Sequence, residues 1–137
     1  MELTDTIMAA CPCGSRKTTG ECCGPFLARD ALPETAEQLM RSRYSAYVAQ
    51  DIDYLEATLW PALQRHFDRA ATAAWSAENH WIGLTVLETR EGGARDSRGT
   101  VRFIARYLAG GELREHREHS LFRRKAGRWY YVEALKD

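Results

Sequence analysis

Four cysteines, all that the chain has, fall within CPCGSRKTTGECCGP as Cys11, Cys13, Cys22 and Cys23. Thiols this close can hold a metal as thiolates, cycle between thiol and disulfide, or staple the chain. Their spacing, Cys11-x-Cys13, eight residues, then Cys22-Cys23, suits a metal best. Zn2+ takes four soft or borderline ligands in a tetrahedron, and two close pairs on one short loop supply them at little cost in chain entropy. Pro12 stiffens the first pair, while Gly14, Gly20 and Gly24 permit tight turns that can aim backbone N–H groups at sulfur. Arg16 and Lys17 can offset part of the negative charge of a zinc tetrathiolate. A bridge from Cys11 to Cys13, or between adjacent Cys22 and Cys23, would be strained. Redox cycling lacks its usual C-x-x-C spacing and strand-to-helix setting. The expectation is a closed structural Zn2+ site with these four ligands and no position left for substrate; redox thiols and disulfides are the alternatives.

A second group of candidates depends on strand register. WIGLTVLETR (81–90), TVRFIARYL (100–108), ELREHREHSLFRRK (112–125) and RWYYVEAL (128–135) read as four antiparallel strands, broken at Gly92-Gly93, Gly110-Gly111 and Ala126-Gly127. If the last two breaks are two-residue hairpin turns, Phe103 faces Glu118, Ala105 faces His116, Phe122 faces Tyr131 and Ser120 faces Glu133. Alternation then gathers His116, Glu118, Ser120 and Glu133 on one face with Val101, Phe103, Tyr107, Phe122, Trp129 and Tyr131. Ionisable groups among aromatics are what acid/base chemistry in a partly dry pocket requires, so these four are the pocket candidates. The structural alternative is that Arg41 or Arg43 pairs with Glu118 or Glu133 and locks a helix onto the sheet. The opposite face mixes Arg102, Arg106, Glu115, Arg117, His119 and Arg123 with Ile104, Leu108, Leu121 and Val132. It reads as a solvated ion-paired face, with Arg106 across from Glu115, or as a homodimer surface. His66 and His80 are expected at the surface, and Trp60, Trp75 and Trp81 in the core.

The helices that would cover this sheet come first in the chain. Thr35 can cap a helix with Gln38 as its capping-box partner, and Leu39, Met40, Tyr44, Tyr47 and Val48 recur at three- and four-residue steps, leaving Arg41, Ser42 and Ser45 off the apolar face. Asp51 can cap a shorter helix ending before Pro61, and a third stretch covers about 68–78. Residues 25–33 read as a connection. Helices followed by a run of antiparallel strands imply an α+β fold with the helices on one face.

CPCGS followed by CCG resembles the SEC-C motif, a small zinc-binding element known from the C-terminus of the SecA preprotein translocase, where His usually stands in the place of Cys23. MRSRYSAYVAQDIDYLEAT, WIGLTVLE and GRWYYVEAL resemble the YchJ-like family over nearly the whole chain. That resemblance implies a SEC-C element, residues 1–25, ahead of an NTF2-like domain, residues 26–137, in which a curved sheet wraps about three helices and often leaves a pocket. It implies no settled activity.

Lys and Arg (19) balance Asp and Glu (19), so net charge points to no nucleic-acid or anionic-membrane partner. A 137-residue chain buries roughly two-thirds of its unfolded surface and needs no staple for size alone. MELTDTIMAA has neither the basic start nor the apolar run of a secretory signal, so a cytoplasmic location is expected. The functional expectation is a non-catalytic zinc-binding protein that meets a protein partner through its cysteine element. The alternative is a small-molecule binder or enzyme using the concave face.

Overall fold

The computed structural model describes residues 8–136. The element expected over 1–25 is therefore seen from Met8 onward, and residues 1–7 and Asp137 lie outside the described residues. A 3-10 turn at Thr19–Glu21 leads into a short helix α1 (Gly24–Leu27) within the stretch expected to be a plain connection. Then follow α2 (Ala36–Ala49), α3 (Ile52–Ala57), a 3-10 segment at Pro61–His66 and α4 (Arg69–Glu78). Four strands complete the chain: β1 (His80–Glu91), β2 (Arg98–Ala109), β3 (Glu112–Lys125) and β4 (Arg128–Ala134). They form one antiparallel meander in the order β1-β2-β3-β4.

The helix starts are set by side-chain caps. Thr35, Asp51 and Asp68 accept hydrogen bonds from the backbone N–H groups of Gln38, Tyr54 and Ala71. The Gln38 side chain accepts from the Glu34 N–H at 2.8 Å, one residue before the expected partner. In the β2–β3 turn both glycines have positive φ, as a two-residue hairpin of this hand requires, and Ala126 adopts the same conformation in the next turn.

The β2–β3 register is the expected one, with Phe103 opposite Glu118, Ala105 opposite His116 and Val101 opposite Ser120. The β3–β4 register is not. Phe122 faces Tyr131 as expected, but Leu121 faces Glu133 and Ser120 faces Ala134, because Val132 is an extra residue on β4. Since side-chain direction has a period of two, this bulge moves Glu133 off the concave face and bends the strand. Two further register shifts in β1, at Trp81/Gly83 and Val86/Glu88, add to the curvature. The outer edge of β4 is covered: Trp60 N–H donates to the Tyr131 carbonyl and Tyr131 N–H to the Thr58 carbonyl, each at 2.8 Å.

Helix α2 lies on the concave face and is buried on more than the expected side. Leu39, Met40 and Tyr44 face the sheet core with Val101, Phe103 and Phe122. Ser42 and Ser45 are also buried, whereas Val48 is exposed. The cause is that other elements cover the remaining flanks: the Ser42 hydroxyl meets the Tyr54 hydroxyl at 2.7 Å, and the Ser45 hydroxyl lies 3.6 Å from Cys11 Sγ. Cys11, Cys13 and Cys23 consequently belong to the same core as the helix and sheet.

Candidate metal centre and cavity

The cysteine loop is closed on itself before any metal is considered. Cys11 N–H donates to the Lys17 carbonyl at 2.8 Å, and Ala10 and Thr18 form a bridge. The first Gly of the loop, Gly14, has φ +79, and a Cβ there would come 2.8 Å from the Leu84 carbonyl oxygen, so the loop can lie on β1 because this residue has no side chain. The closure brings the Sγ atoms of Cys11, Cys13, Cys22 and Cys23 within 4.8 Å of one another. Cys13 and Cys22 sulfurs are 3.5 Å apart, and those of Cys22 and Cys23 are 3.9 Å apart. A tetrahedron with Zn–S bonds near 2.3 Å needs sulfurs roughly 3.8 Å apart, so the cluster has the size and the donor set for that ion. All four cysteines are free thiols, with no bridge among them.

The surroundings of the cluster differ from the expected ones. The Ser15 hydroxyl donates to Cys22 Sγ at 3.1 Å, and the Ser45 hydroxyl is the neighbour of Cys11. Arg41, held by Glu37 at 2.9 Å, donates from Nη1 to the Cys13 carbonyl at 2.7 Å. Arg16 and Lys17 are exposed. Sulfur hydrogen bonds from Cys13 and then Cys23 draw the Cys11 thiol strongly down, and the bond with Cys11 pushes Cys23 up. Burial, the largest influence on Cys22, pushes it up. The chemistry open to such a group is to share a cation, which neutralises four neighbouring thiolates at once.

The concave face forms a second site. A cavity of about 120 Å³ lies between α2, α4 and the sheet. His116, Glu118 and Ser120 of β3 reach it, along with Tyr131 and Phe122. Glu118 accepts from Ser120 Oγ at 2.6 Å and from the Tyr131 hydroxyl at 2.7 Å, and lies 2.8 Å from His116 Nε2. Glu133 is exposed and does not line the cavity, a direct result of the bulge. The expected arginine pairing takes another form as well. Arg43 stacks on the Tyr131 ring, 4.7 Å from its centroid, and donates to the Leu55 carbonyl and Thr58 Oγ1. Arg41 belongs to the cysteine cluster.

These contacts set the electrostatics. Burial works against the Glu118 carboxylate, but hydrogen bonds from His116, Ser120 and Tyr131 outweigh it and hold its pKa below the usual value. The same bond raises His116 against the opposing effect of burial. Burial is the main influence on Arg43, which is lowered, and on Tyr44, which is pushed up to about 12. Trp75 and Trp81 wall the cavity beside Tyr44 and Tyr47, with their own ring centroids 4.9 Å apart, but Trp75 is exposed at the cavity's rim and not in the core as expected. Trp60 instead sits outside, under Arg123 and Lys125. His66 and His80 are exposed. Sequence reasoning missed Arg43, Tyr47 and Trp81 as cavity residues; the three-to-four-residue step from Met40 through Arg43 to Tyr47 was the available signal.

Residues 35–134 match the family model for the YchJ middle NTF2-like domain. The chain belongs to the YchJ-like family. A UPF0225 protein of Geobacter sulfurreducens is 42% identical over 123 residues, covering 90% of this chain and 76% of that protein. A UPF0225 protein of Chromobacterium violaceum is 45% identical over 131 residues, covering 93% of each. Among solved structures, a SEC-C motif containing protein from Rhodopseudomonas palustris matches with TM-score 0.85 and 44% identity over 93% of this chain and 98% of its own. Another, from Psychrobacter arcticus, matches with TM-score 0.82 and 27% identity over 96% and 86%. The YchJ-like domain thus accounts for the sheet and the helices it wraps, and the likeness to SEC-C motif proteins extends to the segment carrying the four cysteines.

Proposed function

We propose that this YchJ-like chain is a zinc-binding protein whose metal is structural. One Zn2+ on Cys11, Cys13, Cys22 and Cys23 would clamp the N-terminal loop onto α2 and leave a rigid surface for a protein partner. The observation that carries this reading is the mutual reach of four sulfurs, three of them on buried cysteines. Four thiolates fill a tetrahedral zinc, so the ion has no position at which to activate a substrate. A partner would meet the groove beside the cluster, lined by Lys17, Glu21, Phe26, Glu37 and Arg41. No helix among the described residues is long and apolar enough to cross a membrane, and a reducing cytoplasm is the setting we assign to thiols of this kind. Metal analysis of protein purified under reducing conditions should find one zinc per chain, lost in Cys22→Ser. Equal capture of partner proteins by the zinc-loaded and metal-free chains would count against the interaction role. Of the apolar residues expected on the outer sheet face, Ile104 is buried and Leu108, Leu121 and Val132 are half-buried, while Leu113 on that face is exposed; this face is the surface we assign to a homodimer, and a sedimentation profile unchanged by Leu113→Arg would count against it.

A second reading, a small-molecule binder or acid/base enzyme, is favoured by the cavity. Its His116–Glu118 pair sits against aromatic walls, and Glu118 engages Nε2, which leaves Nδ1 to exchange a proton with a bound molecule. Protein-detected NMR against a panel of small molecules tests it, through shifts confined to cavity residues.

A further inference from the structure

The balance of charge over the whole chain conceals an uneven distribution on the outer sheet face. Toward the β2–β3 turn, arginines there are matched by acid: Arg106 and Arg117 share Glu115. Toward the opposite end, cations meet cations. Arg98 stands directly across from Arg123, and Lys125 directly across from Arg128. Like charges in that position repel and weaken a sheet. All four are exposed, and none has a carboxylate within ion-pair distance among the described residues. Glu88, on the same face, is engaged by Arg90 and Arg102, and Glu133 lies across from Leu121.

These cations form one patch. Cross-strand pairing and the two-residue period put them on a single face. Arg123 and Lys125 both lie against the Trp60 ring, 4.7 and 5.7 Å from its centroid, and Arg128 lies 5.8 Å from the centroid of Tyr130. The Trp60 and Tyr130 rings are 6.0 Å apart. A guanidinium held on a ring has its plane fixed, while the N–H donors in that plane stay free for an anion's oxygens. From β2 to β4 the patch spans roughly 10 Å, and along β3 roughly 7 Å. An outward-curving face of that size meets one strand of phosphates and not the two of a duplex. Arginine outnumbers lysine in it, which suits phosphate. A base also brings to Trp60 and Tyr130 a π-face that an acidic peptide lacks.

We propose that this end of the outer face binds single-stranded nucleic acid, its phosphates accepting from Arg98, Arg123, Lys125 and Arg128 and its bases lying beside Trp60 and Tyr130. The patch is separate from the cysteine cluster and from the cavity, and it lies at the other end of β3 from Leu113. The test is fluorescence anisotropy of a labelled single-stranded oligouridylate titrated with the zinc-loaded full chain between about 50 and 200 mM salt. Saturable binding should weaken with salt at a log–log slope of about −3, as for four phosphates neutralised on a single strand. Arg98→Gln combined with Arg123→Gln should bring the slope to about −1.4 and weaken binding more than about tenfold at ~100 mM salt. Arg114→Gln, at the far end of β3, should change neither. If the double variant does not fold, Lys125→Gln beside the hairpin turn decides, with a slope smaller by about 0.7. Absence of saturable binding at ~50 mM salt, or a slope unaltered by the patch variants, overturns the proposal. So does tighter binding of a duplex of the same length, of polyglutamate or of phosphatidylglycerol vesicles, which would assign the patch to that polyanion instead.

Discussion

Glu118 stays ionised in a largely buried place because three side chains donate to it, and that arrangement makes His116 a useful reporter. The imidazole pKa is raised above its ordinary 6.5 by the bond to Glu118, so the pair contributes stability in full below about that pH and loses it as pH rises through the folded-state value. His116→Asn should therefore cost more at pH 5.5 than at pH 8.5, by about 0.5–1 kcal/mol at most, since the ring is half exposed and solvent screens the pair; thermal denaturation at the two pH values checks it. Glu118 carries the opposite sign. Its lowered pKa makes its contribution present above about 4.5 and lost as pH falls through the folded value. NMR titration of His116 should give a lower pKa in Glu118→Gln than in the unsubstituted chain. Glu133→Ala should leave that titration unchanged, because Glu133 lies outside the cavity.

Elements place these residues, and three of the placements depend on single local features. Thr35 caps α2, the helix that carries Arg41 to the cysteines and Arg43 to the cavity. Thr35→Ala should destabilise the fold by about 1 kcal/mol in denaturant titration. Gly14 permits the cysteine loop to lie against β1, at a φ of +79 and with the Leu84 carbonyl 2.8 Å from where a Cβ would stand. Gly14→Ala should cost roughly 1–3 kcal/mol and weaken zinc retention in a chelator competition. The β4 bulge is the third such feature, and it was invisible in RWYYVEAL because one extra residue changes no residue type. The hairpin turns fixed the β2–β3 register on paper; β4 departs from its own register partway along. A bulge is chosen by the curvature that the whole sheet needs to wrap α2, which local alternation does not encode.

At the scale of the molecule, the cysteine element and the helix–sheet body share a core, with Cys13 and Cys23 essentially inaccessible beside Leu39 and Tyr44. Zinc removal should therefore lower the melting temperature of the whole chain in one transition; an unchanged transition with zinc lost would refute this coupling. The sequence by itself determined the four clustered thiols, the capped helices, the four strands, the α+β class and the pairing of His116 with Ala105 and of Glu118 with Phe103. These follow from spacing, caps and periodicity, which act over a few residues. Only the tertiary structure decided that Ser15, Ser45 and Arg41 attend the cysteines, that Arg43 stacks on Tyr131 instead of pairing with Glu118, and that Glu133 leaves the site. It also left the Trp81 indole N–H without an acceptor among the described residues. Each of these depends on which groups meet across long stretches of chain, where packing and curvature select among partners that local sequence leaves equivalent.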